Sequence, residues 1–361
     1  MTNSSAPARN AASDSTKNEH RFPWKWWLRD LDSVEKNGKT VFSCFSCGGD
    51  SSMGDKLAGY TVVGCCEIDE RVLSVYRKNL HPKYPYHMDV RDFLTIPNAE
   101  LPEELLHLDV LDGSPPCSTF SLAGQREKAW GKKKRFREGQ ALQTLDDLFF
   151  WFIKIAEKLQ PKAVIAENVS GLIKGNAKGY VNEIFKAFRE AGYETQLFLL
   201  NGAKMGVPQR RERTVFVARR KDLEKPKITL QFDEMPVYFR EVRSDRGDPV
   251  NPETMAYKLL QKRTEKDNNL GDINLRWKGK QTQFNSAIVK DNEVCPTLVC
   301  GAEIYRFCDA DRFSEQDIRN VQSFPQDYDF MDQKAKYICG MSVPPVMMAQ
   351  IATEVYEQWL K

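Results

Sequence analysis

The sequence predicts an α/β fold: a mostly parallel sheet with helices on both faces, and a smaller polar module set in late in the chain. Two observations predict it. Over residues 39–218 strand-like and helix-like stretches alternate with short links, the pattern of parallel strands joined by helical crossovers. Over 221–284 the chain turns polar, charged and irregular, and order returns only at "PTLVCG" (296–301) and "IRNVQSFPQDY" (318–328).

The elements follow in order. Residues 1–20, "MTNSSAPARNAASDSTKNEH", are small and polar and read as a disordered tail. "RFPWKWWLRDL" (21–31) is aromatic and basic; it is expected to pack on a later domain, and the sequence assigns it no role. "KTVFSCFS" is an apolar strand running into the glycine-rich turn "GGDSSMG". "KLAGYTVVGCCEID" holds the second strand, "ERVLSVYRKNL" has helical spacing, and a third strand ends at Asp89. "HLDVLDGSPP" is a strand closed by a turn, and "LQTLDDLFFWFIKIAEKLQP" is an apolar-periodic helix stopped by proline. "KAVIAENV" is a strand, "GYVNEIFKAFREAGY" a helix, "ETQLFLLNGAKMGVP" a strand with a loop, and "RTVFVARR" the strand that ends the run. "GMSVPPVMMAQIATEVYEQWL" closes the chain with an amphipathic helix. Ligands of such sheets bind outside the carboxyl ends of the strands, where Cys47, Glu67, Asp89, Cys117 and Glu167 all fall.

Composition sets the bounds. The 361 residues suffice for one large domain with an insert or for two domains, and 41 % hydrophobic with 29 % charged residues is a globular balance. No stretch is apolar enough to span a bilayer, and the N-terminus lacks the basic–apolar–small order of a secretory signal, so a cytoplasmic location is expected. Nine scattered cysteines are expected to be free thiols in a reducing compartment. A net charge of +3 does not by itself establish a nucleic-acid partner, but the basic residues cluster.

Each motif has a functional and a bland reading. "VFSCFSCGGDSSMG" (41–54) suits a nucleotide-like ligand, because the turn lets backbone N–H groups approach it; an ordinary tight turn reads the same, and the G-x-G-x-x-G spacing is missing. Glu67 can accept from both ribose hydroxyls, or be a solvated carboxylate at a helix start; Asp89 can meet an adenine amine. Cys44 and Cys47, with Cys65 and Cys66, are a zinc or redox candidate, but the second pair is adjacent and buried thiols explain both. Cys117, behind Pro115 and Pro116 at a strand's carboxyl end, is a reactive thiol or a buried cysteine that follows prolines. A Cys–His hydrolase needs a histidine base, and none of His20, His81, His87 and His107 sits in a catalytic turn. In "VIAENVSGL", Glu167 can hold a proton toward a ring nitrogen, or cap the next helix. In "VPQRRERTVFVA", Arg211 and Arg213 point the same way and can clamp a base carbonyl or a phosphate, or form a solvated strand edge. "REKAWGKKKRFR" (126–137) has seven basic residues and one acid, with Trp130 and Phe136 interleaved; beside the Cys117 loop this favours phosphate contact over a solvated face.

Together these stretches resemble the DNA (cytosine-5) methyltransferase family, bacterial or phage type, from about residue 41 to 361. "FSCGGDSSMG" looks like its first cofactor loop, "EID" its ribose-and-adenine segment, "SPPCSTFS" its nucleophile loop, "ENV" its signature glutamate and "QRRER" its arginine strand. "QSFPQDY" and "GMSVPPVMMAQIA" resemble its two late motifs, and the seven stand in the family's order. The resemblance implies a Rossmann-like S-adenosylmethionine-dependent methyltransferase sheet over 39–218, preceded by a tail and extension (1–38). It implies an inserted target-recognition domain over 219–332 and a segment (333–361) that returns to the catalytic domain. It implies that Cys117 adds to C6 of a flipped-out cytosine, Glu167 binds N3 and the exocyclic amine, Arg211 holds the C2 carbonyl, and Arg213 lies near the sugar-phosphate or the loop. S-adenosylmethionine is then expected against Phe45, Ser46, Cys47, Gly48, Gly49, Glu67, Ile68, Asp89, Val90, Pro116, Leu148, Ser342 and Val343. Duplex DNA is expected against Ser118, Arg126, Lys128, Lys132, Lys133, Lys134, Arg135 and Arg137, on a mobile basic loop. A monomer without metal or membrane is expected, with a partner restriction endonuclease left open.

Some positions depart from the family pattern. Cys47 and Asp50 stand where glycine is common, and Asp50 raises the question of repulsion from the cofactor carboxylate. Met341 stands where an asparagine ties the late segment to the first loop, and Gln316 and Asn320 replace arginines. Two other readings remain: a tRNA-acting branch that shares these motifs, and a catalytically inactive DNA-binding relative. Intact Cys117, Glu167 and Arg211 argue against the second, and "PPCSTFS" is closer to the DNA enzymes.

Overall fold

The computed structural model describes residues 20–116, 147–173, 178–280 and 286–361. Residues 1–19 of the expected tail, Cys117, Ser118 and the basic run 126–137 therefore lie outside the described residues, while His20, the last residue expected in the tail, is held by Glu234 Oε2 at 2.9 Å from its Nδ1. The large sheet comprises β1 (Thr40–Cys44), β2 (Thr61–Glu67), β3 (Tyr84–His87), β4 (Val110–Gly113), β5 (Ala163–Val169), β6 (Tyr193–Asn201) and β8 (Glu212–Arg220); the short β7 (Gln209–Arg210), just before β8, lies outside it and pairs with residues 295–296. Burial at period two sets its layers. Phe42, Leu111, Val164 and Ala166 face one apolar core, while Val41, Val110, Ala163 and Ile165 face the other. Strands apolar on both faces need cover on both, which is why helices flank this sheet.

The strand order is β3-β2-β1-β4-β5-β8-β6, parallel through β5. The order reverses beside β1, and that reversal opens a crevice at the carboxyl ends of β1 and β4. Among the described residues β8 alone runs antiparallel in this sheet, paired with both β5 and β6. Its N-terminal end therefore lies at the same edge as the carboxyl end of β5, with Arg213 opposite Val169.

Local signals explain the helices. α1 (Asp50–Leu57) starts at Gly49, whose φ of +88° suits glycine. α2 (Glu70–Leu80) is capped by Asp69, which accepts from Arg71 N, and buries Val72, Leu73, Val75, Tyr76 and Leu80. α3 (Val90–Thr95) is capped by Asp89, so Asp89 opens this helix two residues past β3 instead of ending the strand. The short α4 (Glu103–Leu106) precedes β4. α5 (Leu148–Leu159) buries Leu148, Phe149, Phe152, Ile153, Ile155, Ala156 and Leu159, and stops at a left-handed Gln160 before Pro161. α6 (Lys178–Glu190) completes this layer.

The later chain holds α7 (Phe239–Val242), α8 (Met255–Leu260), α9 (Leu270–Lys278) and the short strands β9 (Ala287–Val289), β10 (Cys295–Pro296) and β11 (Ile304–Arg306). Val250, Leu259, Leu260, Leu270, Ile273, Ile288, Tyr305 and Ala310 form a small core of their own. By contrast Phe313, Ile318, Phe324 and Tyr328 pack in one cluster with Leu73, Tyr76 and Leu80 of α2. In α10 (Glu315–Val321), Gln316 Nε2 donates to Asn320 Oδ1 at 2.7 Å and Gln326 Oε1 at 2.8 Å, and Asn320 Nδ2 donates to Val242 O at 2.6 Å. A neutral amide network thus holds the place where the family pattern has arginines.

α11 (Ala335–Met341) and α12 (Pro345–Val355) return to the sheet. The sequence pattern predicts an amphipathic closing helix, yet every residue from Pro345 to Ala352 is buried. The reason is that α12 packs both against α1 and into the sheet's second core. The approach is close: a Cβ on Gly54 would sit 2.5 Å from Pro345 O and 2.6 Å from Met348 Cβ.

Candidate active site

The site grows from the strand ends. Phe45, Ser46, Cys47, Gly48 and Gly49 form the turn between β1 and α1, with left-handed φ at Phe45 (+54°), Cys47 (+45°) and Gly49 (+88°). Two of its N–H groups close the turn on the protein itself: Phe45 N donates to Cys66 O at 3.0 Å and Gly49 N to Ser46 O at 2.8 Å. At the end of β2, Glu67 Oε2 accepts from Cys47 N at 3.0 Å, and Oε1 accepts from Ile68 N at 2.9 Å and Asp69 N at 3.0 Å. A carboxylate offers about four acceptor sites, so roughly one is left for a ribose hydroxyl. A second hydroxyl must share with or displace Cys47 N–H, which is tighter than the sequence reading allows. Burial raises the Glu67 pKa against these three N–H bonds. Ile68 beside it stays 39 % exposed and offers an apolar surface at the crevice.

Neighbouring elements complete this edge. Cys66 Sγ lies 3.5 Å from Met88 O, joining β2 to the segment that carries Asp89 and the buried Val90. The sequence reading has Asp89 meet the adenine amine, but its carboxylate already accepts from Arg91 N (2.8 Å), Nε (3.0 Å) and Nη2 (2.9 Å). Phe45 packs near Phe152, and Leu148 is buried one helical turn before it. Pro116 is half-buried just beyond β4. On β4, Asp112 is fully buried and accepts from Ser43 Oγ at 2.9 Å; burial pushes its pKa to about 6.

Asp50 answers the question its sequence position raises. Its Oδ2 accepts from Val343 N at 2.7 Å, and Ser342 is buried next to that bond. The carboxyl is thus bound into the protein and makes a joint between the first loop and the α11–α12 link. In the family pattern an asparagine at 341 makes that tie; here Met341 is half-buried and Asp50 bridges instead. Burial pushes the Asp50 pKa up to about 7, opposed by the Val343 N–H.

Two of the catalytic candidates, Glu167 and Arg213, meet at the end of β5. Glu167 Oε1 lies 2.5 Å from Arg213 Nε, with both side chains about nine-tenths buried. Glu167 pairs across the ladder with Val215, so Arg213 is its same-face diagonal neighbour. Asn168 Nδ2 donates to Pro115 O at 3.0 Å and ties this strand end to the segment leading into Cys117. The sequence reading gives Asn168 no work of its own; its place inside "ENV" is the available signal.

Arg211 is a correction. The resemblance has it hold a base carbonyl, yet it is 0 % exposed. Its Nη1 donates to Leu298 O at 2.9 Å and its Nη2 to Gly340 O at 3.1 Å, while Nε has no partner among the described residues. Burial and the neighbouring Arg213 lower its pKa. The side chain is locked between the β10 loop and α11, and Arg213 is the guanidinium beside Glu167. The reason is local: Arg211 lies in the break between β7 and β8, so strict alternation does not carry through it. Tyr328 is a residue that the sequence does not single out: its Oη donates to Gly48 O at 2.6 Å.

Comparisons with known proteins identify the family and the fold. The family model for the C-5 cytosine-specific DNA methylases matches residues 40–357. The type II methyltransferase M.NgoPII of Neisseria gonorrhoeae is 27 % identical over 363 residues, covering 91 % of this chain and 98 % of that protein. M.Sau96I of Staphylococcus aureus is 35 % identical over 211 residues, 58 % of this chain and 46 % of its own length. M.FnuDI of Fusobacterium nucleatum is 34 % identical over 187 residues, 51 % and 47 %. The chain thus spans about half the length of these last two relatives. Among solved structures, a prophage-encoded DNA modification methyltransferase of Escherichia coli superposes with a TM-score of 0.65 at 19 % identity, covering 90 % of this chain and all of that one. DNMT2 of Spodoptera frugiperda does so at 0.62 and 15 %, covering 88 % and 100 %. These two share the fold. Because the family model spans residues 40–357, this chain belongs to the C-5 cytosine-specific DNA methylases, enzymes that methylate C5 of cytosine in DNA using S-adenosylmethionine.

Proposed function

We propose that this chain methylates C5 of a flipped-out cytosine in a specific duplex DNA sequence, through a covalent bond between Cys117 and C6. The observation that carries the reading is the buried Glu167–Arg213 pair, tied through Asn168 to the segment that runs into Cys117. The crevice fits the cofactor. It combines a glycine-bearing turn with left-handed backbone at Phe45, Cys47 and Gly49, a carboxylate at the end of β2 and the exposed apolar face of Ile68. Phe45–Gly49, Glu67, Ile68, Val90, Pro116, Leu148, Ser342 and Val343 would hold S-adenosylmethionine, which supplies the transferable methyl group when bound.

The chain's own residues do the remaining work. The Cys117 thiolate adds to C6 of the ring and makes C5 electron-rich; after transfer, loss of the C5 proton expels the thiolate and restores the ring. Glu167 binds N3 and the exocyclic amine as the thiolate adds. Arg213 orients the Glu167 carboxylate and, in place of Arg211, faces the C2 carbonyl. The basic loop 126–137 contacts phosphates, and the module over 219–332 reads bases in the major groove. A cytoplasmic monomer acting alone or beside a restriction endonuclease completes the reading.

The test is direct. The protein is incubated with methyl-labelled S-adenosylmethionine and either mixed-sequence duplex DNA or bulk tRNA. Labelled 5-methyl-deoxycytidine is expected from DNA, and Cys117→Ser is expected to lose it. Full transfer by Cys117→Ser rules out the covalent route, and label in tRNA alone moves the substrate to RNA.

A further inference from the structure

Residues 21–32 precede residue 40, where the family match begins, and nothing in the site described above uses them. Yet this segment is held along its length. Arg21 Nη1 meets Glu354 of α12 at 2.7 Å. Trp26 is 1 % exposed and lies in one apolar cluster with Leu73, Tyr76, Phe324 and Tyr328. Its indole Nε1 donates to Ser323 O at 2.9 Å, its carbonyl accepts from Gln326 N at 2.7 Å, and Leu28 N donates to Asp327 Oδ1 at 2.6 Å. These bonds grip a single turn, 323–327. Ser323 within it has a φ of +54°, a left-handed conformation that a non-glycine residue keeps only when its surroundings hold it.

The gripped turn is one residue from the residue that meets the cofactor loop. Tyr328 Oη donates to Gly48 O at 2.6 Å, and a Cβ on Gly48 would sit 2.5 Å from that oxygen. The other side of the same turn reaches the late segment: Ser323 Oγ accepts from Val346 N at 3.3 Å, and Gln322 Nε2 donates to Ser342 O at 2.9 Å. One turn, with the residue on either side of it, therefore touches both walls of the crevice, the first loop and the α11–α12 link.

We propose that residues 21–32 are a strap that positions the S-adenosylmethionine site: Trp26 clamps the 323–327 turn, and the turn sets Tyr328 against Gly48. Trp26 is a positioning residue, and the inference rests on the cofactor reading given above. The strap acts on cofactor affinity and leaves the affinity for DNA unchanged.

The test uses the full chain, with S-adenosylmethionine titrated calorimetrically and hydrogen exchange measured at the Ser46–Gly49 amides of the cofactor-free protein. Absence of binding by the native protein overturns the cofactor reading and the strap with it. Given native binding, Trp26→Ala is expected to weaken affinity by about tenfold, a coupling of the size that contacting residues show. Trp26→Phe, which keeps a ring and loses the indole N–H, is expected to weaken it less. The KM for DNA is expected to stay native, while the loop amides exchange faster. Native affinity and native exchange in folded Trp26→Ala overturn the strap while leaving the cofactor reading intact. Should Trp26→Ala fail to fold, Tyr328→Phe carries the test: alone it should weaken affinity, and with Trp26→Phe the two effects should be less than additive. Strict additivity or unchanged affinity overturns the inference.

Discussion

Arg211 and Arg213 stand two positions apart in "QRRER", and the structure gives them different work. Arg213→Lys keeps a charge beside Glu167 but loses the guanidinium fork. We expect kcat to fall by about a hundredfold, the scale of removing one preorganised donor, with a small change in melting temperature. Arg211→Lys leaves the buried Leu298 and Gly340 carbonyls short of donors. Here about 2–4 kcal/mol of stability should be lost while the folded fraction keeps its kcat, since unmade buried hydrogen bonds cost about 1–3 kcal/mol each. Urea denaturation beside labelled methyl transfer separates the two. Alternation along a strand could not assign these roles, because Arg211's partners come from segments about a hundred residues later. Asp50 was equally illegible, and it makes a pH prediction. Its folded pKa of about 7 lies above the usual carboxylate value of about 3.9. The folded state therefore keeps a proton that the unfolded chain releases. This contribution is complete below about pH 4 and is lost as pH rises to about 7. Asp50→Asn should flatten the fall in urea midpoint between these pH values, with the buried Asp55, Glu67 and Asp112, whose pKa values burial also raises, leaving a remaining slope of the same sign. An unchanged slope would exclude Asp50 as its source.

Elements were legible where the signal was local. α2 runs over Glu70–Leu80, the stretch its apolar spacing marks out, because the Asp69 cap and the buried stripe agree. The direction of β8 could not be read, since an alternating strand has the same pattern both ways and only its pairing with β5 and β6 distinguishes them. The all-round burial of α12 was hidden for a related reason: the glycine that admits it, Gly54, lies in α1. That crossing predicts its own variant. Gly54→Val drives a branched side chain into Pro345 O and Met348 Cβ, and we expect a loss of about 1–3 kcal/mol, as for other overpacked cores. Thermal denaturation reads it, and an unchanged melting temperature would mean that α1 and α12 can separate freely.

At the scale of the whole molecule the net charge of +3 is small, so attraction to DNA must come from local clusters. Changing Lys132, Lys133 and Lys134 to alanine should weaken DNA binding and lower the slope of log K against log salt by about 0.9 for each phosphate no longer neutralised. A slope equal to the native one would remove this run from the interface. The overall architecture was open to sequence reading because alternation and motif order extend over most of the chain; the joints between distant segments were not. One such joint, Asp50 to Val343, closes across 293 positions. A ribosome adding about 5–20 residues per second needs roughly 15–60 s to cover that distance. Throughout that interval the first loop has been made but the residue that braces it has not, so the Asp50 joint can close only after Val343 has been added.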